Sequence, residues 1–337
     1  MFLFKNHKTT EELKNISYDC ENSFKRIVSW IFHNFKFLFI PGYDLEELSE
    51  RKHQYELKNP KKRRIHRYRK PMFIFGISII FLLCTITIHQ SWLAPYTYIE
   101  LWSTFEMISS WYLPPSPGHI LGTTYYGMDI LSRLIYGTGP ILISAVTSTT
   151  IACVLGIIIG IISAYYGGWL DVISMRIMDI ILSFPGIIFA FILFSIWGRN
   201  FIYFILIFGI IGMPYFARLV RTSVLIEKEL PYITASKVSG ARSRRIMFLH
   251  ILPNCTQMII IAASFNIARN ILSITLLGFL RIYSIGWAVD MAIAIDDLYI
   301  APWAVLYPTL MVLISVLGFL LLGDSLSDIG LLKQEKL

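Results

Sequence analysis

Residues Glu229 to Asn254 of this chain read ELPYITASKVSGARSRRIMFLHILPN. This stretch is the one long polar and basic interruption in an otherwise apolar C-terminal half. Pro231 suits the first turn of a helix, where its missing N–H costs nothing, and Gly240 suits the left-handed position just beyond a helix end. The sequence therefore predicts a short helix between these two residues, and a second helical run from Ser243 to Ile251.

Composition places this stretch in a membrane protein. Of the 337 residues, 55% are hydrophobic and only 15% are charged, whereas soluble domains carry about 25% charged residues. Six apolar segments come near the roughly 20 residues that a helix needs to cross a bilayer. They are residues 72–94, 141–165, 172–197, 201–218, 258–280 and 304–322. We therefore predict an all-α polytopic membrane protein with six transmembrane helices.

Basic residues predict how the chain is oriented. Sixteen of the thirty Lys and Arg lie in residues 1–70, and seven of these lie in Lys61–Lys70, directly before the first apolar segment. Such a block stays on the cytoplasmic side and attracts anionic lipid, so the net charge of +8 does not indicate a nucleic-acid partner. With six spans, both termini are expected in the cytoplasm, and so is the basic stretch between the fourth and fifth spans.

This topology divides the chain into five parts. They are a cytoplasmic N-terminal extension (1–71), the first span (72–94), an extracytoplasmic loop (95–136), a core of five spans with a cytoplasmic loop at 220–254 (137–324), and a cytoplasmic tail (325–337). Within the extension, residues 24–41 are rich in aromatics but too short and too interrupted to span. An amphipathic helix in the membrane interface and a helix packed on the cytoplasmic side both remain open for them.

The opening stretch resembles the cytoplasmic EAA loop of ABC-transporter permeases. In that family an acid, two alanines, a glycine six residues after the acid and a terminal Leu-Pro recur. The matching positions here are Thr234, Ala235, Ser236, Gly240, Leu252 and Pro253. Thr and Ser thus stand where the family has its acid and its second alanine. The segment SGARSRRIMFLHILPN is similar to the version found in the dipeptide, oligopeptide and nickel permeases.

Three more segments resemble the same family in the same order. PPSPGHILGTTYYGMDILSRLIYG precedes the second span, MRIMDIILSFPGI lies in the third, and the segment before the last span ends in Pro302-Trp303. The resemblance covers about residues 60–330 and implies the type I ABC importer permease fold. It also implies an assembly with a second homologous permease, two cytoplasmic ABC ATPases and an extracytoplasmic substrate-binding protein.

The resemblance assigns a role to the short helix at Pro231–Ser239. This helix is expected to enter a surface groove of the ATPase, with Tyr232, Ile233 and Ala235 packing into the groove. Gly240 then turns the chain, and the arginines that follow contact the ATPase or lipid headgroups. On this interpretation, ATP-driven closure of the two ATPases rocks the permeases between inward-open and outward-open states.

The chain lacks the sequence motifs of an enzyme. It has no Gly-rich loop ending in Gly-Lys-Ser/Thr to hold a nucleotide, no histidine motif for a metal and no Gly-x-Ser-x-Gly nucleophile elbow. We therefore expect no catalytic residue, no metal site and no cofactor of its own. On the resemblance, ATP is bound by the partner subunit.

Polar residues within the spans are candidates for the translocation path or its gate. Arg176 and Asp179 lie three residues apart near the start of the third span and so share a helix face. Asn266 and Arg269, together with Asn270, lie on the fifth. Ionisable residues inside a membrane indicate function by default. The alternative is that these residues lock helices together, or pair across helices without touching substrate.

Three classes of function remain open. Peptide import is favoured over nickel import, because a nickel path would favour histidine in the spans and the spans hold almost none. Nickel or another small solute on the same architecture is the first alternative. A secondary carrier or channel would have internal repeats or acid-lined broken helices, and the sequence has no such repeat. A membrane scaffold or an integral membrane enzyme is the third class. An enzyme would need a cluster of catalytic side chains, and the sequence shows none.

Overall fold

A computed structural model of the protein describes residues 71–103, 111–198, 200–282 and 286–334. The predicted interfacial segment 24–41 and the basic block Lys61–Lys70 lie outside the described residues, as does most of the N-terminal extension. The described residues form helices and loops, and their only β-type pairing is one isolated bridge between Thr123 and Asp129. The predicted all-α class is confirmed.

Helices account for most of the described chain. They are α1 (Pro71–Ile88), α2 (Gln90–Leu93), α3 (Tyr98–Ser103), α4 (Ile130–Tyr166), α5 (Gly168–Ser183), α6 (Gly186–Trp197), α7 (Phe201–Glu227), α8 (Pro231–Val238), α9 (Ser243–Arg245), α10 (Leu252–Phe279), α11 (Trp287–Ala294) and α12 (Pro302–Gln334). A π-helical turn, Ile246–Ile251, joins α9 to α10, and a 3₁₀ turn, Ile295–Asp297, follows α11.

Five helical stretches of the described chain are long and apolar enough to cross a membrane. These are α1, α4, α7, the stretch from Ser243 to Phe279, and α12. A sixth span results if α5 and α6 count as one, although they are bent by 89° at their junction. Proline explains the bend: Pro185 disfavours helical geometry in the residue before it, and Phe184 is extended, with φ −91° and ψ 135°. The junction of α5 and α6 is therefore a near right angle.

Two helices continue beyond the predicted ends of their spans. Helix α7 runs past Arg218 to Glu227. Helix α12 runs past Leu322 and Gly323 to Gln334. Gly323 is small for a packing reason: a Cβ there would lie 3.2 Å from the ring of Phe265 on α10. This glycine lets two helices approach and does not terminate one.

Helices α4 and α7 form the closest pair in the fold. A Cβ at Gly156 would lie 2.5 Å from the Cβ of Phe216, and a Cβ at Gly160 would lie 2.6 Å from the carbonyl oxygen of Ala217. Small residues of this kind let helix backbones approach closely in a membrane. Side chains from both helices pack against the short helix α8.

Side chains before α4 fix its start. The Asp129 carboxylate accepts hydrogen bonds from the backbone N–H and the hydroxyl of Ser132, both at 2.8 Å. His119 Nδ1 lies 3.1 Å from the same carboxylate. One turn later, Arg133 donates two hydrogen bonds, at 2.7 and 3.0 Å, to the carboxylate of Asp290. These contacts join α11 to α4.

Candidate coupling site

The helix predicted at the start of the basic stretch is present as α8, Pro231–Val238, with proline in its first turn. It ends with paired hydrogen bonds: the Gly240 N–H donates to the Lys237 carbonyl at 3.0 Å, and the Ala241 N–H donates to the Ser236 carbonyl at 3.1 Å. Gly240 has φ +77°, the left-handed conformation that this termination requires. The predicted left-handed cap is confirmed. A Cβ at Gly240 would meet nothing within 4 Å, so only the backbone demands glycine.

One face of α8 is held by the body of this chain. Ile233 is fully buried, with 0% of its surface exposed. It packs in a group of buried side chains from four elements, here called the anchor cluster: Ile161, Ala164, Val220, Val224, Ile246, Met247, Ile251, Cys255 and Ile259. The prediction that Ile233 fills a groove on another protein is therefore wrong. The sequence could not distinguish the two faces of so short a helix.

The opposite face of α8 is accessible. Thr234 and Ala235 are exposed, and Ser236 is half-buried, with its hydroxyl donating to the Tyr232 carbonyl at 2.8 Å. Val238, one turn after Thr234, is 85% exposed, and Leu249 of the π-helical turn is also exposed. Exposed apolar side chains grouped around a polar rim mark an interaction surface. Val238 and Leu249 were not predicted as site residues. Val238 could have been found, because it lies four residues after Thr234 and therefore on the same helix face.

Tyr232 ties α8 to two other elements. Its hydroxyl donates to Glu227 Oε2 at 2.6 Å and accepts from Asn254 Nδ2 at 2.7 Å. Asn254 Nδ2 also lies 3.2 Å from the His250 carbonyl oxygen, to which it donates. Burial and the hydrogen bond to Glu227 raise the pKa of Tyr232 to about 12. The phenol therefore stays protonated at physiological pH, and the chain of hydrogen bonds joins the end of α7, α8 and the start of α10.

The end of the stretch is one continuous helical run and not two. The run from Ser243 passes through the π-helical turn into α10, where Leu252 and Pro253 occupy the first positions. Leu252 packs against the anchor cluster, and Pro253 is exposed. Pro253 has no N–H to continue the hydrogen-bond ladder of this run, and the π-helical turn ends directly before Leu252 and Pro253. Single π-helical turns inside helices occur frequently at functional sites.

Basic side chains surround α8. Arg242, Arg244 and Arg245 are exposed, and Lys237 is exposed with its Nζ 5.7 Å from the ring centre of Tyr165. Lys228 differs, because its Nζ donates to the carbonyl of Ala164 near the end of α4 at 3.1 Å. The exposed arginines remain predicted contacts for a partner protein or for lipid headgroups.

Two ion pairs connect α5 to α7. Arg176 Nη1 lies 3.8 Å from Asp179, as their spacing predicts, but Arg218 of α7 lies closer to the same carboxylate, at 2.5 Å. Asp171 and Arg221 form a second pair with two hydrogen bonds of 2.6 Å each. The contacts of Asp179 match the helix-locking alternative. The pair between Asp171 and Arg221 was missed, because nothing in the sequence relates residues so far apart.

These two pairs predict different effects on stability. We expect Asp171→Asn to lower the free energy of unfolding by about 1–3 kcal/mol, because it removes two charge-assisted hydrogen bonds from a part-buried pair. Asp179→Asn is the matched control and should cost less than about 1 kcal/mol, since half-exposed pairs contribute little. Thermal melting of the detergent-purified chain measures both. Equal melting temperatures for the two variants would contradict this ranking.

Asn266 does not face a path. It is 1% exposed, and its Oδ1 accepts from the Thr149 hydroxyl at 3.1 Å and from Asn270 Nδ2 at 3.2 Å. Asn270 Nδ2 also donates to Ser148 at 3.0 Å. Asn266 and Asn270 lie four residues apart on the face of α10 that packs against α4. The candidate path role of Asn266 is replaced by a hydrogen-bonded junction between helices.

Arg269 lies on another face of α10. Its side chain is exposed, and its guanidinium carbon lies 5.2 Å from the ring centre of Tyr215 on α7. Of the two polar path candidates on the fifth span, it alone is accessible from outside the described chain.

Comparison with known proteins places these features in a family. Residues 156–329 match the family model described as binding-protein-dependent transport system inner membrane component. The chain belongs to this family. The matched region contains α8, every residue of the anchor cluster, and both ion pairs between α5 and α7. Membership confirms the predicted relation to ABC-transporter permeases and the multi-pass membrane character of this permease.

Curated relatives extend the match over most of the permease. It is 34% identical over 260 residues to the dipeptide transport system permease protein DppC of Haemophilus influenzae, covering 76% of this chain and 88% of that protein. It is 34% identical over 253 residues to the glutathione transport system permease protein GsiD of Pectobacterium atrosepticum, covering 74% and 83%. A di/tripeptide transport system permease protein of Pseudomonas aeruginosa is 33% identical over 258 residues, covering 75% and 85%.

Family membership also bears on partners and on the alternatives. A binding-protein-dependent system works with an ATPase and a substrate-binding protein, so this permease has partners of both kinds. A secondary carrier or channel is not favoured by these matches. The family is one of transport components and not of enzymes.

Proposed function

We propose that this chain is the permease subunit of an ATP-driven importer that carries di- or oligopeptides across the cytoplasmic membrane. The relatives support peptides, because they are named as permeases for dipeptides, for di- and tripeptides, and for glutathione, itself a tripeptide. Nickel or another small solute on the same architecture is the alternative, and none of these names favours it.

The observation that carries the proposal is that α8 is buried on one face and exposed on the other. Ile233 buries one face in the anchor cluster, whereas Thr234, Ala235 and Val238 leave the other face open. A helix held in this way by its own chain transmits a push on its open face to the helices below. The open face is therefore the surface offered to a cytoplasmic ATPase.

The contacts of α8 suggest how motion reaches the spans. The anchor cluster contains side chains of α4, α7 and α10, and the hydrogen bonds of Tyr232 join α8 to both α7 and α10. Closure of the ATPases, which bind the ATP, would move α8 and these three helices together. The chain itself needs no cofactor for this step.

The assembly that this role requires has five parts. It contains this permease, a second homologous permease, two cytoplasmic ATPases and an extracytoplasmic substrate-binding protein, with both termini of this chain in the cytoplasm. Peptides would pass between the two permeases. The lipid bilayer surrounds the outward faces of the spans.

Reconstitution tests the proposal. The purified assembly is placed in proteoliposomes with ATP on the ATPase side, and uptake of a radiolabelled dipeptide, a tripeptide and Ni²⁺ is followed. We expect uptake of peptide that depends on ATP and on the binding protein, and no Ni²⁺ uptake. Uptake driven by an ion gradient without the ATPases would overturn the proposal.

A further inference from the structure

Arg269 is an arginine at mid-span that faces outward from its own chain. It lies about 25 Å along α10 from Leu252, at 1.5 Å per residue, and its side chain is exposed. An arginine at the centre of a helix costs about 2.5–3.5 kcal/mol to insert when its surroundings are lipid. This face of α10 is therefore better suited to water or to a second protein than to lipid.

Among the described residues, none accepts a hydrogen bond from the guanidinium of Arg269. The guanidinium lies 5.2 Å from the ring centre of Tyr215, which is itself 38% exposed. This cation–π contact steadies the charge, but a ring face does not satisfy the five N–H donors of arginine. In the part of the chain that the structure describes, no carboxylate lies within ion-pair distance of Arg269.

Other arginines of the spanning helices differ from Arg269 in this respect. Arg133, Arg218 and Arg221 each bind an aspartate of this chain at 2.5–3.0 Å. Every arginine of α4 and α7 is thus matched by an acid. The ring of Tyr215 holds the guanidinium of Arg269 in place, while its N–H groups have no acceptor among the described residues. Such a group suits an anion that binds reversibly.

We propose that Arg269, supported by Tyr215, binds the C-terminal carboxylate of the peptide during transport and so selects for it. The inference rests on the proposed function. Peptides carry this carboxylate at neutral pH, because its pKa lies near 3.3–3.7, and a guanidinium binds a carboxylate through two parallel hydrogen bonds. The side chain of Arg269 is exposed, so a peptide bound to it is not enclosed and can also leave.

Comparing a peptide with its C-terminal amide tests this selection. In reconstituted assemblies that differ only at position 269, uptake of a radiolabelled dipeptide and of the same dipeptide amide is measured. The binding protein is the same throughout, so its own preference cancels when variants are compared. We expect Arg269→Gln to reduce uptake of the free peptide roughly tenfold while leaving amide uptake nearly unchanged. Arg269→Lys should retain part of the preference.

Two controls separate this role from a structural one. Arg218→Gln removes another positive charge from a span and should lower uptake of both forms to the same degree. Tyr215→Phe keeps the aromatic ring and should keep the preference for the free peptide, whereas Tyr215→Leu should weaken it.

Three outcomes would overturn the inference. Equal losses for both forms in Arg269→Gln would show that the residue does not read the carboxylate. Loss of the second permease on co-purification of that variant would show that Arg269 pairs with an acid of the partner. If the unmodified assembly imported no peptide at all with ATP, the proposed function would fail and this inference with it.

Discussion

Gly240→Val abolishes ATP-driven uptake while the chain still inserts and remains folded. The reason is the left-handed backbone, φ +77°, that ends α8 and turns the chain into α9. A β-branched residue there costs about 1–3 kcal/mol, enough to shift the equilibrium away from this helix end by about 5- to 150-fold. The measurement is peptide uptake in proteoliposomes, together with thermal melting of the purified variant.

Gly240→Asn is the matched control. Asparagine adopts the left-handed conformation more readily than other non-glycine residues, and the space around Gly240 is open. We expect it to keep most of the uptake. Equal loss of uptake in the valine and asparagine variants would show that the position needs glycine for contact with a partner and not for its backbone.

Ile233→Ala and Val238→Asp have large effects of different kinds. Ile233 is fully buried in the anchor cluster, and removing its side chain should lower the free energy of unfolding by about 2–5 kcal/mol. Val238, on the same helix, is 85% exposed, so Val238→Asp should leave the melting temperature nearly unchanged. It should instead prevent binding of the ATPases, because it places a charge in an apolar contact.

Thermal melting and co-purification with the ATPases distinguish the two variants. The expected pattern is a lower melting temperature for Ile233→Ala alone, and loss of the ATPases at full stability for Val238→Asp. Val238→Ala serves as a milder control and should weaken binding without abolishing it. If Val238→Asp still bound the ATPases normally, the open face of α8 would not be the docking surface.

Local rules were sufficient to predict much of the fold and the bounds of α8. Hydrophobic length located the spans, and the Pro231 and Gly240 signals located the short helix, because both depend on neighbouring residues only. The same rules failed at Gly323, where a glycine permits packing against Phe265 and does not end the helix. A glycine in a sequence does not reveal which of these two roles it has.

The site residues were harder to predict than the helices that carry them. The direction of Ile233 depends on how α4, α7 and α10 pack together, and α4 is distant from it in sequence. The pair of Asp171 and Arg221 likewise depends on how α5 packs against α7. On α10, three polar residues within one turn divide between two faces: Asn266 and Asn270 bind α4, and Arg269 points elsewhere. Only the tertiary arrangement separates them.

Site-specific photo-crosslinking tests most directly whether α8 is the docking helix. A photo-reactive phenylalanine analogue is placed at the position of Val238 in the complete assembly, and, as a control, at the position of Trp92, which is 92% exposed beyond the end of α1. We expect the analogue at Val238 to crosslink to an ATPase subunit, with a yield that changes when ATP binds, and the analogue at Trp92 to give no such product. No ATPase crosslink from Val238, in an assembly that transports peptide, would contradict the account.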